Sequence, residues 1–261
     1  MRFSVLMTVF CEAEFVDYAI RACLPYVDDL VIVEGSYKES QKLGASVRSN
    51  DGTIEIIEKY RNNSKVHIIY ANEESDRDQR NVGWKKIKEI NPDGFMMICD
   101  GDEVYQKQTF DLIYSTMNMM RRTNKKMAYF NSLTFINDFS HYTNQFFPRL
   151  FDLKNSVGFV NDNQMQWHDK IYDHSILYSQ KSSLIKYHHY SFCKSKRLNR
   201  TKLKKDWWES RFGDNYMNTG KKFEYDWYED SDGNWSSPNH KIFLYKGKHP
   251  KIMEKYPLFN V

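Results

Sequence analysis

The sequence has few cysteines, little net charge and no long apolar run, and each of these features excludes a class of protein. Its four cysteines, at positions 11, 23, 99 and 193 of 261, show no Cys-x-x-Cys spacing. This pattern argues against a disulfide framework or a zinc site and predicts reduced thiols in a reducing compartment. Lysine and arginine number 38 against 34 aspartate and glutamate residues, and the net charge of +4 does not by itself indicate a nucleic-acid partner.

Signals for secretion and membrane insertion are also lacking. The apolar N-terminal segment Met1–Met7 is followed by Glu12 and Glu14, too soon for a signal peptide, and no small-residue cleavage site follows it. No apolar run approaches the roughly 18 residues of a membrane-spanning helix. We therefore expect a cytosolic protein.

Short apolar segments alternate with helix-like segments through the first hundred residues. The sequence predicts strands at 3–10, 27–33, 66–70 and 95–99, and helices at 15–24, from 53 and at 82–90. Alternation at this spacing is typical of an α/β fold, with a mostly parallel sheet covered by helices. A helix at 109–123 and strand-like segments at 127–136, 145–152, 167–172, 183–192 and 241–245 follow. We place one catalytic domain at 1–193 and an extension at 194–261.

The apolar run 95–99 ends abruptly in Asp100, Gly101, Asp102 and Glu103. In parallel sheets, ligands bind beyond the carboxyl ends of the strands. Acids that collect at such an end usually hold a cation, and carboxylate oxygens suit Mg²⁺ or Mn²⁺. The plain alternative is a surface turn with solvated acids, since Asp-x-Asp alone is a weak signal.

Six motifs, taken in order, resemble those of the family 2 glycosyltransferases of the GT-A fold, nearest to the branch with small bacterial lipopolysaccharide-core sugar transferases. They are Glu12, Glu34-Gly35-Ser36 with a delayed Asp51-Gly52-Thr53, Gln79-Arg80-Asn81, Asp100-Gly101-Asp102-Glu103, Trp167-His168-Asp169 and His189-Tyr190-Ser191-Phe192. The resemblance spans roughly residues 3–210. This chain departs from the family in three ways: an insertion at 37–50, Glu34 where Asp is usual, and Cys11 where Asn is usual.

The resemblance implies a metal-dependent, inverting transfer of a sugar from a nucleotide donor, with UDP the commonest carrier. The acceptor would be a hydroxyl of a glycan, a glycolipid or a protein. Asp102 is implied as the first ligand of Mn²⁺ or Mg²⁺, with His189 completing the metal shell. Asp100 is implied as a further residue of the metal and donor site, where it would orient the ribose or a metal-bound water. Because neighbouring side chains of a strand point to opposite faces, only one of His188 and His189 can face the site.

Further roles follow from the same resemblance. An inverting transfer needs a carboxylate that accepts the proton of the acceptor hydroxyl, and Asp169 is the candidate, with Asp138 as the fallback. Glu34 would accept a hydrogen bond from the nucleobase, on which Phe10 or Val9 would pack. The remaining candidates for donor binding are Glu12, Arg77, Arg80 and Gly101.

A basic run at 194–205, followed by two tryptophans at 207 and 208, fits either a solvated helix face or peripheral contact with an anionic membrane. Two other functions remain as alternatives. A nucleotidyltransferase usually needs a glycine-rich, basic loop after the first strand, whereas residues 10–14 are acidic and lack glycine. A non-catalytic carbohydrate or nucleic-acid binding module would explain the basic run but not the acids at 100–103, so we expect no nucleic-acid partner. The sequence does not indicate an oligomeric state.

Overall fold

The computed structural model describes residues 1–137, 139–161, 164–167, 185–193, 228–229, 235–236 and 241–255. The helices in these ranges are α1 (Val16–Cys23), α2 (Lys38–Gln41), α3 (Thr53–Glu58), α4 (Asp76–Ile90) and α5 (Lys107–Thr123). The strands of the main sheet are β1 (Phe3–Val9), β2 (Asp29–Glu34), β3 (Val66–Tyr70), β4 (Phe95–Ile98), β5 (Glu103–Val104), β6 (Met127–Asn137), β7 (His141–Asp152), β10 (Lys186–Cys193) and β13 (Phe243–Leu244). Two hairpins lie outside it, β8 (Ser156–Asn161) with β9 (Gln164–Trp167), and β11 (Tyr228–Glu229) with β12 (Trp235–Ser236).

The main sheet has the order β3-β2-β1-β4-β7-β6-β10-β5, and β13 pairs with β7. Strands β1 to β4 are parallel, and β7 runs antiparallel to both β4 and β6. Strand β10 is parallel to β6 and antiparallel to the two-residue β5. This arrangement confirms the α/β fold class predicted from the sequence.

The apolar runs of β1, β2 and β4 are buried at every position because helices cover both faces of this part of the sheet. One core lies beneath α1 and α5, and alternate residues of the same strands pack on the other face beneath α4. Asp100, Gly101 and Asp102 follow β4 directly, so they lie at the carboxyl ends of the parallel strands.

Several boundaries differ from those predicted. Helix α4 begins at Asp76 because Ser75 caps it, its hydroxyl accepting from Asp78 N at 3.3 Å. The expected cap Thr53 is already helical, and the cap position belongs to Gly52. Strand β7 begins earlier than predicted, and the short β5 was not predicted. The segments expected at 168–172 and 194–211 lie outside the described residues, and the division of the chain at 193 stays a prediction.

The C-terminal segment, residues 241–255, packs on the sheet through its strand β13 and a 3₁₀ turn at Lys251–Lys255. Its Met253 is fully buried in a core with Phe15, Phe135 and Tyr190.

No described helix is both long and apolar enough to cross a membrane. None of the four cysteines forms a disulfide in the structure, and the Sγ atoms of Cys23 and Cys99 lie 3.6 Å apart.

Two histidines beside this core, the buried His188 and the half-buried His249, give stability a defined pH dependence. Burial lowers the pKa of His188 to about 3 and that of His249 to about 4, from a usual value of 6.5. Below pH 6.5 the unfolded chain binds protons that the folded chain does not. These groups therefore contribute stability that is present at neutral pH and is lost as the pH falls towards 4.

Replacing His249 with glutamine removes one of these groups. The unfolding free energy of each protein is measured by urea denaturation at about pH 7 and at about pH 4.5. We expect the change towards lower stability to be about 1–2 kcal/mol smaller in His249→Gln than in the unmodified chain. The two proteins are compared with each other because Glu103 is present in both. Burial raises the pKa of Glu103 to about 7, so this group makes the folded state more stable as the pH falls over this range. Equal acid losses in both would contradict the prediction.

Candidate active site

Asp100, directly after β4, lies between two arginines. Its carboxylate accepts from Thr8 Oγ1 at 2.9 Å, and Nη2 of Arg80 and Nη2 of Arg149 lie 3.2 and 3.4 Å from its oxygens. Burial opposes ionisation of Asp100, but the charges of Arg80 and Arg149 outweigh it and hold its pKa below the usual value. Asp100 is therefore a fixed anion at neutral pH.

Arg80 reaches Asp100 from the first turns of α4. Its Nε donates to Asp76 at 3.1 Å, so the guanidinium bridges two carboxylates, and its side chain is only 7% exposed. Nη1 of Arg80 is buried and has no hydrogen-bond partner within the described residues. Arg77, in contrast, pairs with the adjacent Asp78 on an exposed part of the helix and forms no ion pair with Asp100 within the described residues.

Arg149 was not among the candidates from the sequence. Strand β7 lies antiparallel beside β4, with Met97 opposite Leu150, which carries Arg149 to the end of β4. Its guanidinium contacts Glu103 Oε1 at 2.5 Å as well as Asp100, and it lies over the rings of Phe147 and Tyr187. A lone charge within the apolar run 146–151 was the available signal.

Glu103 closes the acidic loop from inside. It is fully buried, and its Oε2 accepts from the backbone N–H of Asp100 at 3.3 Å. Burial raises its pKa to about 7, although Arg149 favours the ionised form. Glu103 thus supports the loop through Arg149 and the backbone of Asp100.

Asp102 and His189 lie side by side. Asp102 Oδ1 is 3.3 Å from His189 Nε2, and Asp102 O accepts from the backbone N–H of Tyr190 at 3.0 Å. The other ring nitrogen of His189 is 3.4 Å from Thr134 Oγ1. His188 points to the opposite face of β10, where it contacts Tyr245, so one histidine of the pair faces the acidic loop.

The loop after β1 is held by the segment before α3. Cys11 N donates to Ser49 Oγ at 2.8 Å, Glu12 N to Thr53 Oγ1 at 2.7 Å, and Ala13 N to Asp51 Oδ2 at 3.1 Å. These three backbone donors are therefore used within the protein. Cys11 has a φ of +52°, a left-handed conformation that asparagine adopts more readily than cysteine.

Glu12 packs against the acidic loop at Gly101. A Cβ at Gly101 would lie 2.9 Å from both Glu12 Cγ and Val9 Cγ1, so only glycine fits at this approach of the two loops. Phe10, the last candidate on this loop, is half-buried. The loops after β1 and β4 are thereby brought into contact.

Glu34 lies at the end of β2 and is covered by the insertion at 37–50. Its Oε1 accepts from Ser49 N at 2.8 Å, while Oε2 lies 3.8 Å from Arg48 Nη1 and has no hydrogen-bond partner within the described residues. Arg48 Nη1 also donates to the carbonyls of Glu34 and Ala71. The side chain of Glu34 is fully buried beneath these contacts.

The metal candidates differ in what they can offer. Within the described part of the chain, no group of three or more His, Cys, Asp or Glu side chains is arranged to hold an ion alone. Asp100 is engaged by Thr8 and two arginines, whereas Asp102 and His189 have ligand atoms next to each other. The two candidate bases, Asp138 and Asp169, lie outside the described residues.

Comparison with known proteins gives a general likeness only. No protein-family model matches the chain, and no curated protein does. Among solved structures, TarS from S. aureus is 18% identical with a TM-score of 0.36, over 53% of this chain and 36% of that one. The complex of TarS with UDP-GlcNAc is 19% identical with a TM-score of 0.33, over 52% and 34%. A 4-diphosphocytidyl-2C-methyl-D-erythritol synthase is 6% identical with a TM-score of 0.36, over 59% and 75%.

This chain matches only about a third of the length of the TarS chains. Likeness at this level does not reveal what the chain binds or which reaction it performs. Membership of glycosyltransferase family 2 stays a prediction from the sequence motifs.

The role of Arg149 can be tested by stability. Arg149→Met leaves the carboxylates of Asp100 and Glu103 without one of their cationic partners, and we expect a loss of about 3–5 kcal/mol in unfolding free energy, measured in urea. Arg77→Met removes an arginine from an exposed pair and is the matched control, with an expected loss of at most about 1 kcal/mol. A small effect in both variants would show that Arg149 does not hold the acidic loop.

Proposed function

We propose that this protein is a glycosyltransferase that takes a sugar from a nucleotide-sugar donor, with UDP as the carrier. The observation that carries the proposal is the pair formed by Asp102 and His189 beside the fixed anion Asp100, at the carboxyl ends of the parallel strands. Ligands of open α/β sheets bind in this position. The motifs at 79–81, 100–103 and 189–192, which are far apart in the sequence, contribute neighbouring side chains to it.

The ligand atoms of Asp102 and His189 fit Mn²⁺ or Mg²⁺ as part of a shell. Such ions are commonly held by one or two carboxylates together with phosphate oxygens of a substrate. When bound, the ion would stabilise the negative charge that develops on the departing diphosphate. Asp100 does not fit as a free ligand because Thr8, Arg80 and Arg149 occupy its oxygens, and it acts instead by orienting the loop that carries Asp102.

The chain's own cations assist at the donor phosphates. Arg80 is held in place by Asp76 and Asp100, and its buried Nη1 keeps a donor that a phosphate oxygen can satisfy after a small movement. Arginine suits this task because its guanidinium is always charged and planar. Arg77 is exposed and paired with its neighbour, and we assign it no phosphate contact.

Transfer to the acceptor requires loss of a proton from the attacking hydroxyl. A carboxylate within hydrogen-bond reach accepts this proton as the bond between the sugar and the diphosphate breaks. Asp169 is our candidate, and Asp138 is the fallback. The acceptor is a hydroxyl of a glycan, a glycolipid or a protein.

The loop after β1 disfavours the nucleotidyltransferase alternative. Enzymes that grip a triphosphate through a loop use its free backbone N–H groups. Here the N–H groups of Cys11, Glu12 and Ala13 already donate to side chains of the segment 49–53. A non-catalytic binding module does not account for a buried ion-pair network placed behind Asp102.

The proposal is tested by a thermal-shift panel of nucleoside diphosphates and sugar nucleotides with Mn²⁺, with Mg²⁺ and with a chelator. A ligand that binds only the folded state raises the melting temperature. We expect a metal-dependent rise with UDP or a UDP-sugar, and its loss in Asp102→Asn. Asp93→Asn, an exposed acid before the other end of β4, is the control and should keep the rise. Absence of any shift in the well-folded protein would overturn the proposal.

Metal binding should itself depend on the nucleotide. Because two protein ligands make an incomplete shell, we expect Mn²⁺ alone to bind weakly and UDP to tighten its binding by about tenfold or more. Electron paramagnetic resonance of free Mn²⁺ measures this directly. Equally tight binding of Mn²⁺ with and without UDP would contradict the two-ligand arrangement.

A further inference from the structure

Strand β10 carries His189 to Asp102 and is paired on both sides at this residue. On one side it pairs with the two residues of β5, His188 with Val104 and His189 with Glu103. On the other side it pairs with β6 from Lys186 to His189, and the register becomes irregular directly after His189. Because the regular pairing ends at His189, the orientation of its side chain also depends on how the opposite face of β10 is held.

That opposite face is held by the C-terminal segment. His188 and Tyr190, on either side of His189, contact it through hydrogen bonds. His188 Nε2 lies 2.8 Å from Tyr245 Oη, and Tyr190 Oη lies 2.9 Å from His249 Nδ1. His188 is also parallel to the ring of Phe135 at 5.7 Å, and Tyr190 stacks on Phe15 at 5.2 Å.

Each of these hydrogen bonds has one possible direction. A carbonyl oxygen only accepts, so His249 Nε2 donates to Phe139 O at 2.8 Å, and the Tyr245 hydroxyl donates to Lys248 O at 2.9 Å. His249 Nδ1 then has a lone pair and accepts from the Tyr190 hydroxyl. The Tyr245 hydroxyl, which donates its hydrogen to the Lys248 carbonyl, accepts through its oxygen from His188 Nε2.

These hydrogen bonds hold His188 and His249 each in one neutral tautomer. Reversing one hydrogen bond would bring two donors or two acceptors together, and the burial of these groups makes such a mismatch costly. The C-terminal segment thus holds β10 through two directional contacts that flank His189.

We propose that Tyr245 and His249 are positioning residues that set His189 against Asp102. The C-terminal segment is thereby part of the site, although it touches neither Asp102 nor His189 in any described contact. The use of this pair for a metal and a diphosphate rests on the function proposed above. The positioning itself is measurable without any ligand.

The test uses the full chain with ¹⁵N-labelled histidine. The imidazole ¹⁵N signals of His189, assigned with His189→Gln, report its contact with Asp102, and Asp102→Asn defines the shift when that contact loses its charge. We expect Tyr245→Phe to move the His189 signals part of the way towards those of Asp102→Asn. Signals that coincide with those of the unmodified protein would overturn the proposal.

Tyr142→Phe is the matched control. Tyr142 belongs to the same aromatic cluster, with its ring 5.7 Å from that of Tyr245, but its hydroxyl makes no hydrogen bond to a described residue. Removing that hydroxyl should leave the His189 signals unchanged. If Tyr245→Phe does not fold, Tyr190→Phe takes its place, because it removes the donor to His249 and keeps the ring, and the same shift is expected.

A second readout separates this inference from the proposed function. Outer residues that orient a ligand typically change affinity when mutated, and we expect Tyr245→Phe to weaken UDP binding in the presence of Mn²⁺ by about tenfold. If the unmodified protein binds no nucleotide, the proposed function fails, and the ¹⁵N signals still decide the positioning. If it binds UDP and Tyr245→Phe binds it equally well, with unmoved ¹⁵N signals, the positioning fails alone.

Discussion

The acidic end of β4 depends on two buried arginines. Arg80 reaches Asp100 from helix α4, and Arg149 reaches it from the neighbouring strand β7. Buried carboxylates repel one another and lose hydration, so a loop with this composition would otherwise be unstable. With both arginines in place, Asp100 is held as an anion, and the loop that it shares with Asp102 has a fixed conformation.

The sequence predicted the parallel part of the fold well, because buried strands appear as apolar runs and turns interrupt them. It also predicted the acids after β4 and, from strand periodicity, that only one of His188 and His189 could face them. Arg149 was missed because its position depends on the antiparallel pairing of β7 with β4, which local patterns do not encode. The same holds for β5, whose two residues are too few to produce a periodic signal.

The insertion at 37–50 shows a second limit of sequence patterns. Its polar composition predicted a loop, but not that Arg48 and Ser49 would fold back over Glu34. Gly35 makes this possible, since a Cβ there would lie 2.2 Å from Ala71 O and 2.5 Å from Arg48 Nη1.

The pairing of β5 with β10 has a consequence for the order of folding. The acids at 100–103 leave the ribosome early, while the strand that supplies His189 is made much later. Contacts between segments so distant in sequence form late, because the intervening chain must first be ordered. The parallel sheet can therefore assemble first, and the later pairing of β10 with β5 and β6 brings His189 to Asp102.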